Sequence, residues 1–206
     1  MLDWITGSRL ARTALAKLPS LITLATGKNQ GYIMALREDN GVPGVFAVNE
    51  DGHARLLVDT VSGKKMKLED DVDVSSEGVV YFSDASTKYG FDDYVLDILE
   101  GRAYGRLLSF DPKTNATNVL LDRLHFANGV TLSSQEDFVL VAETTRYRIL
   151  RYWLKGPRMG THDVFANNLP GLVDNIQSNR RGTIWVAISM VGPTTASPLH
   201  CEEFGI

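Results

Sequence analysis

Three segments of this sequence repeat one pattern. Each has an Asp or Asn, one further residue, an apolar strand-like run, a polar turn and a second apolar run. The anchoring polar residues are Asp70, Asn128 and Asp174, which are 58 and 46 positions apart. Short strands that recur at about 50 residues are typical of a β-propeller, in which each repeat forms one four-stranded blade.

Further hairpins between the repeats supply the outer strands of these blades. Their turns carry Gly, Pro, Asn or Asp between apolar runs, which is the usual hairpin signal. The segment Tyr94–Glu100, stopped by Gly101, is predicted to be a short helical insert. Three outer hairpins are predicted at 44–58, 105–121 and 147–165, and a further inner hairpin over 21–35 would raise the count from three blades to four.

The repeats divide the chain into three parts. Residues 1–43 are an ambiguous N-terminal segment, in which 1–16 suits a helix and 21–35 suits a hairpin. Residues 44–190 form the propeller blades, and 191–206 form an irregular tail. A six-bladed ring needs about 300 residues at about 50 per blade, so we predict an all-β, incomplete propeller. Its open strand edges favour association with other chains.

Composition excludes several classes of partner. A net charge of -4 and a pI near 5.6 argue against nucleic acid or an anionic membrane surface. One cysteine, Cys201, cannot form an intramolecular disulfide. The sequence has no run of 18 apolar residues, so we predict no transmembrane segment, and the N-terminus lacks a clear signal peptide. It has no phosphate-binding or zinc-binding motif either.

The anchor residues form the candidate site. In a propeller they would lie just before the innermost strands, where they line the axial channel and converge. Carboxylate and amide oxygens are the ligands that Ca²⁺ prefers. With the adjacent Asp71 and Asn175, five oxygen-bearing side chains are available. The alternative is that these Asp and Asn residues only begin strands and cap turns.

Other polar residues have two readings each. His125 suits an acid–base role or a structural one. Asp84 and Glu143 end matching strands, where paired acids can act in acid–base catalysis or secure contacts between blades. Asn115 begins the sequon Asn115-Ala116-Thr117 in a predicted turn, and it is a glycosylation site if the chain enters the secretory route.

Two long motifs show a family resemblance. Residues 97–112 read DILEGR, two residues, GRLLSFDP, while ANGV at 127–130 is followed by VAETT and RILRYWLKG. From about Val58 to Ser189 the chain resembles the strictosidine synthase-like proteins. These are six-bladed propellers related to the paraoxonases and to propellers of the adipocyte plasma membrane-associated type.

The resemblance implies a ligand set for calcium. The segments around Asn128 and around Asp174 and Asn175 are similar to those that hold catalytic calcium in paraoxonases, and Asp70 falls where the related pattern has Asn. The resemblance therefore implies these four residues as metal ligands. That family also takes a Glu from its first blade, and no match to it occurs in residues 1–60.

The resemblance implies three functions. The first is a hydrolase of arylesterase or lactonase ancestry that acts on a small molecule. Truncation of the propeller can remove this catalytic activity. The second is a strictosidine synthase-type enzyme of alkaloid biosynthesis, in the carbon–nitrogen lyase class, which joins an amine to an aldehyde without a metal. Its catalytic Glu belongs to a last blade that this sequence lacks, so no catalytic residue is assigned. The third is a non-catalytic, truncated propeller. The family implies a plant glycoprotein of the secretory pathway or vacuole.

Overall fold

The structure is a computed structural model that describes residues 23–26, 33–36, 43–49, 53–191 and 200–205, with side chains over 43–49 and 53–190. Most of these residues lie in antiparallel sheets of three or four strands that follow one another along the chain. Within each sheet the strands are hydrogen-bonded in chain order, which is the arrangement of a propeller blade.

The strand bounds define four blades. The first contains β1 (Thr23–Thr26), β2 (Ile33–Leu36), β3 (Val45–Val48) and β4 (Ala54–Val58), and the short hairpin of β5 (Thr60–Val61) and β6 (Lys64–Lys65) follows it. The second contains β7 (Glu69–Val74), β8 (Val80–Asp84), β9 (Gly105–Asp111) and β10 (Ala116–Leu124). The third contains β11 (Ala127–Leu132), β12 (Phe138–Glu143), β13 (Arg148–Trp153) and β14 (His162–Ala166). The fourth contains β15 (Gly171–Ser178), β16 (Thr183–Val191) and β17 (His200–Gly205).

The helical insert lies where the sequence places it. Helix α1 (Tyr94–Glu100) follows a 3-10 turn at Phe91–Asp93 and ends at Gly101, which adopts the left-handed conformation with φ 63°. Glycine takes this conformation without strain, and the Gly101 N–H caps the helix by donating to the Asp97 carbonyl. A second 3-10 turn spans Thr144–Arg146.

Two predictions about the ends of the chain have different outcomes. The N-terminal hairpin forms as β1 and β2, whereas the helix suggested for 1–16 lies outside the described residues. The prediction of an irregular tail is wrong for 200–205, which form β17 and pair with β16 from Thr183 to Ile188. The tail has no strand signal of its own, and the free edge of β16 supplies its backbone partners.

Apolar side chains fill the seams between neighbouring blades. Because successive residues of a strand point to opposite faces, each middle strand contributes to two seams. Leu107 packs toward the third blade with Val139 and Leu150, while Leu108 packs toward the first with Val45. The seam between the third and fourth blades contains Leu140, Ile149, Val173, Ile184 and Ile188 among others. Strands buried on both faces explain the continuous apolar runs.

Polar side chains link the innermost strands of neighbouring blades. The Asp71 carboxylate accepts the backbone N–H of Val130 at 2.7 Å, and Asp73 accepts that of Leu132 at 2.8 Å. The Thr131 hydroxyl accepts the N–H of Ser178 at 3.0 Å, so the same device joins the third blade to the fourth. Neighbouring blades are separate sheets, so the backbone hydrogen bonds of a sheet do not join them. These bonds from side chains to backbone hold the blades in place around the axis instead.

Candidate functional site

The three anchor residues lie in the same β-bulge of three successive blades. In each inner hairpin, two residues of the first strand lie opposite one residue of the second. A bulge changes the direction of its side chains relative to the regular alternation. The bulged pairs are Asp70 with Asp71, Asn128 with Gly129, and Asp174 with Asn175.

The structure brings the anchors together. Burial, and after it the charge of Asp174, raises the pKa of Asp70, and the Asn128 side chain donates a hydrogen bond to the Asp174 carboxylate. Asn128 is only 6% exposed. The backbone N–H of Asn175 also donates to Asp174, while the Asn175 side chain is exposed beside it. Three of the four predicted residues therefore form one cluster, and the fourth adjoins it.

Burial sets the protonation of the two carboxyls. It raises the pKa of Asp70 to about 7, with a smaller contribution from the nearby Asp174 charge. Burial also raises the pKa of Asp174, against the hydrogen bonds from Asn128 and Asn175. Burial thus disfavours the charged form of both carboxyls, and the charge of Asp174 adds to this effect at Asp70. A bound cation would stabilise the charged forms.

The Asn128 side chain completes this arrangement. Its Oδ1 is buried and has no hydrogen-bond partner within the part of the chain that the structure describes. Buried acceptors are normally paired, so an unpaired amide oxygen on the residue that also bonds the Asp174 carboxylate fits the donor set of a hard cation such as Ca²⁺. No group of three His, Cys, Asp or Glu residues suited to a metal occurs over the described ranges. A cation here would therefore depend on amide oxygens as well as carboxylates.

Gly129 allows the third and fourth blades to meet at this cluster. A Cβ at this position would clash with the backbone nitrogen of Ile176 and lie 2.8 Å from Cα and carbonyl C of Asn175. A glycine is therefore required for β11 to approach β15. Sequence reasoning did not identify this role, although the glycine that directly follows the anchor Asn128 was the available signal.

The sequence places Asp71 among five oxygen-bearing side chains available to a cation, but its carboxylate is engaged elsewhere. One carboxylate oxygen accepts the N–H of Val72 at 2.9 Å and the other accepts that of Val130 at 2.7 Å. Burial raises its pKa well above the ordinary value, and these two bonds oppose the rise. Asp71 thus serves the connection between blades.

The repeated acids Asp84 and Glu143 have a structural arrangement. Asp84 forms an ion pair with Arg106, and Glu143 forms one with Arg148, the first residue of the next strand. Glu143 also accepts the backbone N–H of His125 at 2.8 Å. The same device recurs in two blades, which supports the reading that these acids secure strand ends. The arginine partners were not identified from the sequence.

His125 lies at the end of the helical insert. Its Nδ1 is 3.1 Å from the Gly101 carbonyl oxygen, and its Nε2 is 3.1 Å from Nη2 of Arg146. Both ring nitrogens are therefore engaged with the scaffold. This supports a structural role and not an acid–base role.

The sheets and their order define the protein as a β-propeller, and comparisons with known proteins give its family. Residues 70–157 match the family described as Strictosidine synthase. Protein STRICTOSIDINE SYNTHASE-LIKE 13 of Arabidopsis thaliana is 42% identical over 68% of this chain and 34% of its own length. Adipocyte plasma membrane-associated protein of Homo sapiens is 43% identical over 73% of this chain and 37% of its own. Residues 70–157 thus match the strictosidine synthase family, and the chain resembles the strictosidine synthase-like and adipocyte plasma membrane-associated proteins over 68% to 73% of its length.

Solved structures support the same fold. A gluconolactonase from Xanthomonas campestris superposes with a TM-score of 0.64 at 20% identity, over 81% of this chain and 55% of that one. A calcium-binding protein, regucalcin, from Agrobacterium tumefaciens superposes with a TM-score of 0.58 at 17% identity, over 80% and 52%. At such identities the likeness concerns the fold alone.

The chain spans only part of its relatives. The curated relatives are matched over 34% to 41% of their own lengths. Within the described residues, α1 and the other helical segments are too short to cross a membrane.

Proposed function

We propose that this chain carries part of a calcium-dependent ester or lactone hydrolase site, formed by Asp70, Asn128, Asp174 and Asn175. The observation that carries the proposal is the buried Oδ1 of Asn128, which has no partner within the described residues, together with the raised pKa values of Asp70 and Asp174. The printed descriptions of the structural neighbours, a gluconolactonase and a calcium-binding regucalcin, support it by analogy of fold.

Each residue has a defined task in this proposal. Asp70 and Asp174 supply negative charge and carboxylate oxygens, and Asn128 supplies its buried amide oxygen. Asn175 donates its backbone N–H to Asp174 and so orients that carboxylate. A bound Ca²⁺ would act as a Lewis acid toward an ester carbonyl and lower the pKa of a coordinated water. The bulges on three separate strands hold the ligands on rigid elements, as a preorganised site requires.

Calcium is expected to stabilise the chain. A ligand at about one hundred times its Kd adds about 2.7 kcal/mol, which corresponds to roughly 5–10 °C in Tm for a chain of this size. The shift should vanish in Asn128→Ala and persist in Asn118→Ala, an exposed position on β10. Thermal melts with calcium or EDTA, followed by phenyl acetate turnover, test both parts. If millimolar calcium alters neither Tm nor turnover, the hydrolase proposal fails.

The calcium effect is expected to grow as the pH rises from about 6 to 8. Calcium must displace the proton that Asp70 holds below its pKa of about 7. Without calcium, the stability of the chain is expected to change with pH in the opposite direction. The folded pKa lies above the ordinary value of 3.8, so the folded state binds more protons and stability falls as pH rises through this interval. Urea melts at several pH values measure both slopes, and Asp70→Asn should flatten each. A calcium shift that is equal at pH 6 and pH 8 contradicts the assignment.

A non-catalytic, calcium-binding role of the same cluster is the second candidate. Calcium binding without any ester turnover would support this candidate over the first.

We also propose a secretory route, in which Asn115 accepts a glycan. Asn115 is exposed at the turn between β9 and β10 with φ 56°. A mobility shift after endoglycosidase treatment of chain secreted from eukaryotic cells would support this, and the absence of a shift would count against it.

A further inference from the structure

A cleft opens between the second and third blades, away from the anchor cluster. Strand β7 runs from the bulge at Asp70 to Val74, and the cleft begins at the following residue, Ser75. It therefore lies at the opposite end of the strands from the candidate metal site. Its volume is about 310 Å³, and its walls include Tyr81, Ser109, Glu136, Tyr152 and Leu154.

Ser109 explains why space remains at this point of the seam. On β9, Leu107 fills the interface with the third blade, and Ser109 occupies the next position on the same face. A serine side chain is too short to reach the opposite blade. Ser109 is only 7% exposed, and it lines the cleft. The seam thus contains a small polar group where its neighbours are large and apolar.

The walls combine aromatic, apolar and hydroxyl groups. Tyr81 and Tyr152 pack with Leu120 and Leu154 against the apolar cluster between these blades. Burial, followed by the charges of Glu136 and Glu77, raises the pKa of Tyr81 to about 12, so its hydroxyl keeps its proton and can donate.

The charges at the cleft select against anions. Glu77 and Glu136 both line it, and Lys155 is the one cationic side chain among its described lining residues. Glu136 is held in place because its carboxylate accepts the Ser76 hydroxyl at 2.7 Å and the Ser76 N–H at 2.8 Å. An anionic ligand would meet two carboxylates, of which Glu136 is partly offset by Nη1 of Arg180 at 3.9 Å, whereas an uncharged ligand would not suffer this repulsion.

We propose that this cleft is a second binding site, which accepts an uncharged, hydroxylated aromatic compound of one or two rings. The volume is near the lower end of the range of about 300–1,000 Å³ for ligand pockets, which suits a molecule of that size. The ring would contact Leu120, Leu154 and the two tyrosine rings, and its hydroxyl would pair with Ser109 or a tyrosine hydroxyl. The site is independent of the proposed calcium cluster, because none of its lining residues belongs to that cluster.

Titration of the full 206-residue chain with 2-naphthol, in EDTA and followed by calorimetry, tests the proposal. We expect saturable binding that weakens by at least about tenfold in Ser109→Leu, which fills the cleft, and by a few-fold in Ser109→Ala, which removes only the hydroxyl. Gln135→Leu, a surface change in the adjacent turn outside the lining, should leave the affinity unchanged. 2-Naphthoate, the matched anion, should bind at least about tenfold more weakly.

Three results would overturn the proposal. They are no binding of 2-naphthol at about 1 mM, unchanged affinity in folded Ser109→Leu, and binding of 2-naphthoate as tight as that of 2-naphthol. If Ser109→Leu does not fold, Ser109→Ala and Tyr152→Phe decide the question, and unchanged affinity in both overturns it. Calcium should leave this affinity unaltered, so failure here is distinguishable from failure of the proposed hydrolase site.

Discussion

Gly129→Ala is expected to destabilise the chain by about 3 kcal/mol or more, or to prevent folding. The new Cβ would clash with the Ile176 backbone nitrogen and lie 2.8 Å from two backbone atoms of Asn175. Backbone atoms cannot rotate away as a side chain does, so β11 and β15 would have to separate. That separation would open the seam between the third and fourth blades and draw Asn128 away from Asp174.

Chemical denaturation followed by circular dichroism measures this effect, and Gly90→Ala is its matched control. A Cβ at Gly90 would lie 3.7 Å from its nearest neighbour, the Lys67 carbonyl oxygen, which is an ordinary contact. Its φ of -94° also suits alanine. The control should change stability by less than about 1 kcal/mol. Equal stability of the two variants would show that β11 and β15 do not meet as closely as described.

Arg106→Met is expected to destabilise the chain by about 3–5 kcal/mol, since it removes one partner of a buried ion pair. The Arg106 side chain is 5% exposed and that of Asp84 is fully buried. Nε of Arg106 donates to Asp84 at 3.1 Å, and Nη2 donates to the same oxygen. Burial raises the pKa of Asp84 and Arg106 opposes that rise, so without the arginine the carboxyl would be buried without its counterion.

The next blade supplies the comparison for this variant. Arg148 pairs with Glu143 in the same way, but its side chain is 32% exposed, so water can replace it in part. Arg148→Met should therefore cost less, about 1.5–3 kcal/mol. The double variant Asp84→Asn, Arg106→Met should recover part of the loss, because no buried charge remains. Denaturation midpoints of the three variants rank their losses of stability. A loss in Arg148→Met as large as that in Arg106→Met would contradict the burial argument.

The propeller was predictable because its signals are local. Alternation of apolar residues, hairpin turns and the recurring anchors each occupy a few consecutive positions, and they recur from blade to blade. The helix at Tyr94–Glu100 was predictable for the same reason, since Gly101 marks its end. Strand β17 was not, because its backbone partners come from β16 and not from its own residues.

The anchor residues show what local sequence patterns predict and what they do not. Spacing predicted that Asp70, Asn128 and Asp174 occupy equivalent places, and the three bulges confirm that equivalence. Spacing did not distinguish Asp70 from its neighbour Asp71. Both are acids at the start of the same strand, and only the position of β11 determines that Asp71 is engaged by the Val130 N–H.

By itself, the sequence of this protein determined the type of fold, the order of the blades and the positions of the anchor residues, because all three follow from patterns within one repeat. The tertiary structure decided which polar residues meet. Three relations join different blades. They are the effect of the Asp174 charge on Asp70, the Asn128 oxygen that lacks a partner within the described residues, and the close backbone approach at Gly129. They depend on how closely strands from separate repeats approach around the axis, and that distance is set by packing across the seams.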